Sequence, residues 1–250
     1  MTPPPSCPIV MLPTYNEADN IRPMIEAVLA QDPRIRVLVV DDDSPDGTAA
    51  IAQDMARENP RVHVMVRRER RGRGYAGVEG LLRCVEMGGD PIVEMDADFS
   101  HDPAHLPAIL AAAERCDVVI GSRGVEGGGE SGRGLARRFI TRAAGIYLRL
   151  MLGVPRVKDP TSGYRCFRRR VLEAIRLDTL RSPGPSIVSE ILFRCRRLRI
   201  CEVPICFRQR TRGRSKFNLK AMTDSLLAAL RLRAAALIGR DESPGPDLRV

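Results

Sequence analysis

The chain has 250 residues, of which 44% are hydrophobic and 28% are charged, and this composition suits one globular domain with a complete core. Its formal net charge of +9 favours anionic partners, but only 4% of the residues are aromatic and no nucleic-acid motif is present, so a nucleic-acid-binding module is disfavoured. The 7 cysteines include no C-x-x-C pair, which argues against a disulfide framework or a zinc ribbon and indicates a reducing, cytosolic setting.

Short apolar runs alternate with helix-length amphipathic stretches through the first half of the chain. This alternation is typical of βαβ units and of a mostly parallel sheet. Strands are predicted at 9–12, 37–40, 62–66, 92–95 and 118–121, and helices at 18–30, 48–58, 76–87 and 104–115. We therefore predict an α/β fold in which helices flank a Rossmann-like, mostly parallel sheet.

The alternation loosens after residue 121. A glycine-rich stretch at 124–129 has the composition of a mobile loop, and the elements predicted after it are a basic helix at 135–152, a turn at 159–163, a helix at 187–197, a strand at 200–207 and a helix at 218–238. The last helix is too charged and too short to span a bilayer, and it either packs on the core of the domain or lies on a membrane surface. Residues 240–250 are predicted to be disordered.

Polar residues follow the first two predicted strands. In an open α/β sheet, ligands bind outside the carboxyl ends of the strands, so carboxylates after the second strand can accept hydrogen bonds from a nucleobase or a ribose. Asp41 and Asp42 are the candidates at this position. Ser44 or Asp46 is interpreted as a helix cap, and residues 45–47 are interpreted as a turn.

Residues 72–77 match the G-x-G-x-x-G pattern of dinucleotide-binding sites. That pattern normally lies in the first βα unit, and the arginine-rich run at 67–71 is atypical of it, so a nicotinamide-dependent enzyme is disfavoured. We interpret the segment as a tight glycine turn that lets the backbone approach a sugar nucleotide.

Asp96 and Asp98 follow the apolar run at 91–95. Side chains two residues apart on a strand share a face, so both carboxylates can point into one crevice, where a divalent cation would relieve their repulsion. Mg²⁺ or Mn²⁺ typically bridges one or two carboxylates to phosphate oxygens, which implies that a nucleotide diphosphate is the ligand. The alternative is that the two residues only cap the helix that begins near residue 103.

Six blocks of the chain, taken in order, resemble the dolichol-phosphate (polyprenol-phosphate) mannosyltransferases. The blocks are residues 12–17, 40–48, 95–103, 121–123, 159–165 and 202–205, and Arg210, Gly213, Ser215 and Lys216 follow the last of them. These enzymes are inverting family 2 glycosyltransferases with a GT-A fold, so the resemblance implies transfer of mannose from GDP-mannose to a polyprenyl phosphate. The alternative is a family 2 transferase that uses a UDP-sugar for polyprenyl-phosphate or cell-surface glycan synthesis.

The resemblance also implies a set of site residues and a division of the chain. Nucleotide contacts fall to Pro13, Tyr15, Glu17, Val40 and Asp42, with Asp41 as a further candidate. The metal and the diphosphate fall to Asp96, Asp98 and the backbone of Ala97, and phosphate groups fall to Arg123, Arg210 and Lys216. We expect catalysis to depend on Asp96, Asp98, Arg123 and Arg210. We expect one GT-A domain over 1–239, with a nucleotide-sugar half at about 9–121, an acceptor half at about 122–217 and a helix at about 218–238.

The chain departs from the family at four positions. Ser100, Gly124, Arg133 and Gln209 stand where relatives often carry Gln, an aromatic residue, Trp and Asp, respectively. These differences concern the metal shell, the sugar and acceptor contacts, and a partner for Arg210.

The chemistry of glycosyl transfer needs charge neutralisation at the departing nucleoside diphosphate and a positioned nucleophile. The metal and the arginines would supply the first, and a polyprenyl phosphate is itself largely ionised at pH 7, so no strong general base is required. His63, His101 and His105 are therefore interpreted as capping or surface residues. Because the acceptor lies in a bilayer surface, we expect a cytoplasmic enzyme held peripherally on an anionic membrane face, with or without a separate membrane subunit.

Overall fold

The computed structural model describes residues 7–131, 135–180, 182, 184–208, 219–238 and 243–244. Its strands are β1 (Ile9–Thr14), β2 (Arg36–Asp41), β3 (Val62–Val66), β4 (Ile92–Glu94), β5 (Val118–Ser122), β6 (Gly129–Ser131), β7 (Arg165–Phe167), β8 (Ile200–Pro204) and β9 (Cys206–Arg208). Seven of them form one sheet in the order β3-β2-β1-β4-β7-β5-β8, and β6 pairs with β9 in a second, parallel sheet.

Helices flank the large sheet. They are α1 (Ala18–Leu29), α2 (Thr48–Glu58), α3 (Arg73–Glu86), α4 (Leu106–Ala113), α5 (Leu135–Met151), α6 (Arg169–Ala174), α7 (Ile187–Arg194) and α8 (Leu219–Leu237), with short 3₁₀ helices at Pro103–His105 and Leu177–Thr179. This arrangement confirms the predicted α/β fold in one domain.

Two hydrophobic clusters cover the two faces of the large sheet. Successive side chains of a strand point to opposite faces, so Met11 and Val40 lie in one cluster, whereas Leu12 and Val39 lie in the other. All four side chains are fully buried. Strands β1, β2, β3 and β4 are parallel to their neighbours in this group, as their nearly continuous apolar runs predict, and their carboxyl ends therefore meet at one edge.

Helix α3 differs from the prediction for the glycine-rich segment that precedes it. The helix begins at Arg73 rather than at residue 76, so Gly74 and Gly77 are helical residues, and the interpretation of the whole segment as a turn is wrong. A Cβ atom at Gly80 would lie 2.3 Å from the Met11 sulfur and 2.8 Å from a Val40 methyl group. At this position the glycine therefore serves close packing of α3 on the sheet.

Four short elements of the described residues lie outside the predicted set, namely β6, β7, α6 and the 3₁₀ helix at Leu177–Thr179. Strand β7 runs antiparallel between β4 and β5. The predicted strand at 200–207 is two strands, because the chain leaves the large sheet at Ile205. The Ile205 N–H donates to the Ser122 carbonyl at 3.0 Å, its side chain is buried, and β9 then joins the small sheet.

Cys116 and Cys201 form a disulfide, which corrects the expectation from cysteine spacing. The two residues are 85 positions apart in the sequence, but β5 and β8 are paired neighbours, and the Cα atoms of the two cysteines lie 6.0 Å apart. A count of cysteines cannot show a pairing that only the strand order creates. The free thiols are those of Cys7, Cys84, Cys166, Cys195 and Cys206.

Helix α8 has one packed face and one exposed apolar face. It packs against α5 and α7, where Ala229 is fully buried and the Tyr147 hydroxyl donates to the Leu226 carbonyl at 3.2 Å. Large apolar side chains are exposed elsewhere on the helix and at the residue that follows it, namely Leu227, Leu230, Leu237 and Ile238. Packing on the domain is thus confirmed, and membrane contact stays a prediction. Among the residues that the structure describes, no helix is both long and apolar enough to cross a membrane.

Most of the tail predicted to be disordered, residues 240–250, lies outside the described residues. Ser243 is described, and its hydroxyl donates to the Phe193 carbonyl at the end of α7 at 3.4 Å.

Candidate active site

The predicted site residues that the structure describes lie at or near the carboxyl ends of β1, β2, β4 and β5. Asp41 ends β2 and is fully buried. Its carboxylate accepts hydrogen bonds of 2.7 Å from the hydroxyls of Thr14 and Ser44 and one of 2.8 Å from the Ser44 N–H. Asp41 therefore ties the loop after β2 to the end of β1. Its contact with a nucleotide stays a prediction.

Asp42 belongs to a buried charge network. It forms an ion pair with Arg67 and accepts a hydrogen bond from the Gly72 N–H at 2.8 Å. Arg67 also donates to both carboxylate oxygens of Glu79, at 2.8 and 3.0 Å. Burial alone would lower the pKa of Arg67, but Glu79 and Asp42 outweigh it and raise that pKa. The network joins β2 to α3, so the arginine-rich run at 67–71 contributes a buried residue that its composition did not indicate.

Asp46 binds the first N–H group of two helices, although the N-cap residues are Glu17 and Gly47 and not Asp46 itself. Its Oδ1 accepts from the Thr48 N–H and its Oδ2 from the Ala18 N–H, both at 3.0 Å. Burial raises the pKa of Asp46, but these hydrogen bonds outweigh it and lower the pKa below its usual value. A carboxylate at the N-termini of α1 and α2 also suits their dipoles. Asp46 thereby holds together the loops that precede α1 and α2.

The other residues predicted to contact the nucleotide differ in exposure. Tyr15 is 55% exposed beyond the end of β1, and Pro13 is half-buried within that strand. Glu17 is buried and accepts a hydrogen bond from the Asn20 side-chain amide at 2.8 Å. The Val40 side chain is fully buried beneath α3, so a ligand could reach only its backbone.

Asp96 and Asp98 follow β4, as predicted. The Asp96 side chain is 36% exposed, whereas Asp98 is 3% exposed. The Oδ1 atom of Asp98 accepts hydrogen bonds from the hydroxyl and N–H of Ser100, at 2.5 and 3.0 Å. Asp102 caps the following 3₁₀ helix, because its carboxylate accepts a hydrogen bond from the Ala104 N–H at 2.9 Å. Neither Asp96 nor Asp98 is the cap. The structure thus removes the capping alternative, and Ser100 orients Asp98.

His101 lies inside this site, so its interpretation as a capping or surface residue is wrong. It is 3% exposed, and its Nδ1 atom accepts a hydrogen bond from the Asp96 N–H at 3.0 Å. Its ring packs against Tyr164 and Phe207, with centroid distances of 5.1 and 5.6 Å. Burial lowers the pKa of His101 against the opposing influence of Asp96 and Asp98, so the ring is neutral at pH 7. The role of His101 here is to accept the hydrogen bond from the Asp96 N–H.

The other two histidines lie away from the paired aspartates. His105 accepts a hydrogen bond from the Cys206 N–H at 3.2 Å and thereby supports β9. His63 lies on β3, where burial and the charges of Arg36 and Arg83 lower its pKa.

Arg73 is a second site residue that the sequence did not single out. Its guanidinium donates to Glu94 Oε1 at 2.5 Å, and its other terminal nitrogen lies 3.5 Å from Asp96 Oδ1. Glu94 is 3% exposed, so this contact compensates a buried carboxylate. A positive charge therefore lies beside the first of the two predicted metal ligands.

Arg123 is held between two carboxylates. Two of its nitrogens donate to Asp159 at 2.6 and 2.7 Å, and one of these also donates to the Thr161 hydroxyl at 2.7 Å. A third nitrogen lies 3.0 Å from Glu130, and the guanidinium lies 5.3 Å from the Phe207 ring. Burial would lower the pKa of Arg123, but Asp159 outweighs it and raises that pKa. Arg123 is thus an oriented cation, and its contact with phosphate stays a prediction.

The turn that carries Asp159 is fixed from two sides. Glu202 accepts hydrogen bonds from the backbone N–H groups of residues 158–159 at 2.8 and 2.9 Å. Arg165 is 1% exposed and donates to the carbonyls of Pro160 and Ser162 at 2.8 and 2.9 Å. Burial lowers the pKa of Arg165 to about 10, which still leaves it charged at neutral pH. Strands β7 and β8 therefore place the partner of Arg123.

A cavity of about 630 Å³ opens beside Arg123. It lies between the turn at 158–161 and one face of α5, and Arg142, Arg149 and Lys158 contribute basic side chains to its wall. The next face of α5 exposes Ile146 and Leu150, which are 49% and 60% accessible. The cavity therefore combines positive charge with neighbouring exposed apolar surface.

Several predicted residues lie outside the part of the chain that the structure describes. They are Arg210 and Lys216, together with the family departures Gln209 and Arg133. Gly124 is described, and a Cβ atom there would lie 3.1 Å from Lys158 Cβ and 3.2 Å from its carbonyl oxygen. An aromatic side chain at this position would have to displace Lys158, which accounts for the glycine.

The residues at the end of β4 fit a divalent metal that is shared with a substrate. Within the described ranges, no group of three or more His, Cys, Asp and Glu side chains is placed to hold a metal ion. Asp96 and Asp98 supply hard oxygen donors, which suit Mg²⁺ or Mn²⁺. Such an ion would take its other ligands from a diphosphate and from water.

Comparison with known proteins assigns the chain to a family. Residues 9–176 match Glycosyl transferase family 2. An undecaprenyl-phosphate mannosyltransferase from Micrococcus luteus is 40% identical over 230 residues, which cover 91% of this chain and 94% of that protein. A polyprenol monophosphomannose synthase from Mycolicibacterium smegmatis is 40% identical over 214 residues, which cover 84% of this chain and 80% of that protein.

The fold is also similar to that of glucosyl-3-phosphoglycerate synthase from Mycobacterium tuberculosis, which was crystallised with Mn²⁺, UDP-glucose and glycerol 3-phosphate. The TM-score is 0.64 at 22% identity, with 96% of this chain and 82% of that chain covered. This likeness supports the GT-A fold alone. The match over residues 9–176 and the two relatives at 40% identity show that the chain belongs to glycosyl transferase family 2.

Proposed function

We propose that the protein transfers mannose from GDP-mannose to a polyprenyl phosphate. The observation that carries this proposal is the pair of relatives named for mannosyl transfer to undecaprenyl phosphate and for polyprenol monophosphomannose synthesis, each 40% identical and each covering at least 84% of this chain. The arrangement of carboxylates and arginines around β4 and β5 supports it, because the reaction must neutralise a departing diphosphate. The UDP-sugar alternative keeps the same chemistry and differs only in the donor.

We assign the nucleotide to the ends of β1 and β2. The loops there are held rigidly by Asp41 and Asp46, so the groups facing a ligand are preorganised. The proposed nucleotide contacts are Pro13, Tyr15, Glu17, the backbone of Val40, Asp42 and, as a further candidate, Asp41.

We assign the diphosphate to the loop after β4. Asp96, Asp98 and the Ala97 backbone would hold Mg²⁺ or Mn²⁺ with the diphosphate, and the bound ion would neutralise charge on the leaving group. Ser100 orients the Asp98 carboxylate, and His101 holds the backbone N–H of Asp96, through the hydrogen bonds described above. Arg123, Arg210 and Lys216 are the proposed phosphate contacts, and Arg123 is presented in a fixed orientation by Asp159.

We assign the acceptor phosphate to the cavity beside Arg123. Its basic wall suits a phosphate, and the exposed Ile146 and Leu150 suit the start of a polyprenyl chain. One phosphate oxygen would form a bond to the anomeric carbon while the bond from that carbon to the diphosphate breaks, with inversion. The ionised phosphate needs no base, which agrees with a neutral His101 whose Nδ1 is already occupied by the Asp96 N–H.

We place the enzyme peripherally on the cytoplasmic face of an anionic membrane. The apolar face of α8 and the arginines of α5 support contact with lipid. Five free thiols suit a reducing compartment, and the Cys116–Cys201 disulfide is the observation that weighs against it.

The proposed function is tested by incubating the purified protein with labelled GDP-mannose and undecaprenyl phosphate in anionic vesicles. We expect lipid-extractable label that requires Mg²⁺ or Mn²⁺ and is lost in Asp98→Ala. Asp102→Asn is the matched control, because Asn keeps the capping oxygen of the neighbouring 3₁₀ helix. Metal-independent transfer by Asp98→Ala, or no mannosyl lipid from the wild type, would contradict the proposal.

A further inference from the structure

Arg73 places a positive charge beside Asp96, where it would repel a bound metal ion. It is the first residue of α3, and its side chain reaches the carboxylates of Glu94 and Asp96 at 2.5 and 3.5 Å. The side chain is 27% exposed, so it is partly open to solvent. The reaction assigned above gives it no role.

The charge of Arg73 is permanent. A guanidinium stays protonated throughout the pH range in which proteins are folded, and here it contacts two carboxylates, those of Glu94 and Asp96. A divalent ion that approaches Asp96 therefore meets a fixed positive charge that lies 3.5 Å from Asp96 Oδ1 and is balanced in part by Glu94.

The donor set at this position is small. Asp96 and Asp98 are its two carboxylates, and within the described residues no third acidic, histidine or cysteine side chain completes a metal cluster. Most of the coordination of Mg²⁺ or Mn²⁺ must then come from a diphosphate and water. A nucleoside diphosphate also brings negative charge, which offsets the repulsion between the ion and Arg73.

We propose that Arg73 makes divalent-metal binding depend on the nucleotide, so that the free enzyme binds Mn²⁺ weakly and the nucleotide complex binds it tightly. This inference rests on the proposed function, because it takes Asp96 and Asp98 as metal ligands and a nucleoside diphosphate as the partner. Arg73 acts here as a positioning residue, since its effect passes through Asp96. By linkage, the metal must raise nucleotide affinity by the same factor.

The test measures Mn²⁺ binding to the metal-free enzyme by the EPR signal of unbound Mn²⁺, without nucleotide and with GDP, after correction for Mn²⁺ held by GDP in solution. Arg73→Met removes the charge and keeps a long apolar stem. Arg73→Met/Glu94→Gln also removes the buried carboxylate that the first change leaves unpaired, so we expect it to fold, and Glu94→Gln alone is its reference. Arg73→Lys keeps the charge and is the matched control.

Without nucleotide, we expect Arg73→Met to bind Mn²⁺ about tenfold more tightly than the wild type, and Arg73→Met/Glu94→Gln to bind it about tenfold more tightly than Glu94→Gln. The Lys variant should resemble the wild type. GDP should tighten Mn²⁺ binding by about tenfold or more in the wild type and by much less in the Met variants. A purely structural role would not predict this gain in affinity. The inference is overturned if Arg73→Met/Glu94→Gln binds Mn²⁺ no more tightly than Glu94→Gln.

The same measurement with UDP separates this inference from the proposed donor. If UDP, and not GDP, tightens Mn²⁺ binding in the wild type and the Met variants lose the effect, the role of Arg73 stands and the GDP-mannose assignment fails. If GDP is effective in every variant to the same extent, the assignment stands and the role of Arg73 fails.

Discussion

The Nδ1 atom of His101 accepts a hydrogen bond from the backbone N–H of Asp96 at 3.0 Å. The ring is buried and neutral, so it fixes the backbone of the first predicted metal ligand without adding charge beside it. The two residues are only five positions apart, and their contact fixes the backbone that carries the Asp96 carboxylate.

Two substitutions separate the contribution of the His101 acceptor atom from that of its ring. His101→Asn keeps an oxygen near the position of Nδ1, whereas His101→Phe keeps a ring against Tyr164 and Phe207 but leaves the Asp96 N–H unpaired. An unpaired buried donor costs about 1–3 kcal/mol, so we expect the free energy of unfolding of the Phe variant to fall by about that amount. We also expect its metal-dependent kcat to fall further than that of the Asn variant. Equal kcat values for His101→Asn and His101→Phe, measured on samples that urea titration shows to be folded, would contradict the acceptor role.

The pair of Arg123 and Asp159 predicts a pH-dependent contribution to stability. Asp159→Asn leaves a buried guanidinium with Glu130 as its remaining acidic partner, and we expect the free energy of unfolding at pH 7 to fall by about 2–4 kcal/mol. Burial acts to raise the pKa of Asp159, but Arg123 outweighs it and holds the pKa below the usual 3.8. Because the unfolded residue then binds protons first as the pH falls, the contribution is complete above about pH 5 and is lost below 3.8.

Urea unfolding of the wild type and Asp159→Asn between pH 7 and pH 3 checks this prediction. The difference in free energy between the two proteins should shrink as the pH falls through 3.8. Asp54→Asn is the matched control, because Asp54 forms an exposed pair with Arg57 and such pairs contribute little. A difference that stays constant down to pH 3 would show that the charge of Asp159 does not stabilise the fold.

The exposed face of α8 predicts reversible membrane binding. Replacing Leu227 and Leu230 with Ser removes apolar side chains that are each 49% exposed, so we expect a smaller fraction of protein to float with anionic vesicles and little change in unfolding. Raising the salt concentration should also weaken binding, since each basic side chain near an anionic leaflet contributes about 1 kcal/mol.

Gln53→Ser, at an exposed position on α2, is the control for flotation. If Leu227→Ser/Leu230→Ser floats as well as this control at low salt, α8 does not contact the membrane. If the wild type fails to float, the peripheral location itself is wrong.

The sequence predicted the first half of the fold because buried parallel strands and amphipathic helices leave clear apolar patterns. It did not predict β7, which has three residues and includes Arg165, a charged side chain that is 1% exposed. Its burial depends on the carbonyls of Pro160 and Ser162, which accept its hydrogen bonds. Such partners become visible only when the chain is folded.

The candidate site shows the same division. Asp96 and Asp98 were found from their spacing after a strand, which is a local signal. Arg67 begins the arginine-rich run at 67–71, which has the composition of a solvated surface, and Arg73 follows that run. Their partners Asp42 and Glu94 lie 25 and 21 residues away. No periodicity links residues so separated, so their burial could not be predicted.

Donor selection tests the central claim most directly. The measurement is kcat/KM for GDP-mannose and for UDP-glucose, with undecaprenyl phosphate in anionic vesicles and saturating Mn²⁺. The proposed function predicts that GDP-mannose is preferred by about a hundredfold or more and that the lipid product carries mannose, because a site that hydrogen-bonds one base leaves polar groups unpaired with another. Equal kcat/KM values, or a preference for UDP-glucose, would contradict the assignment.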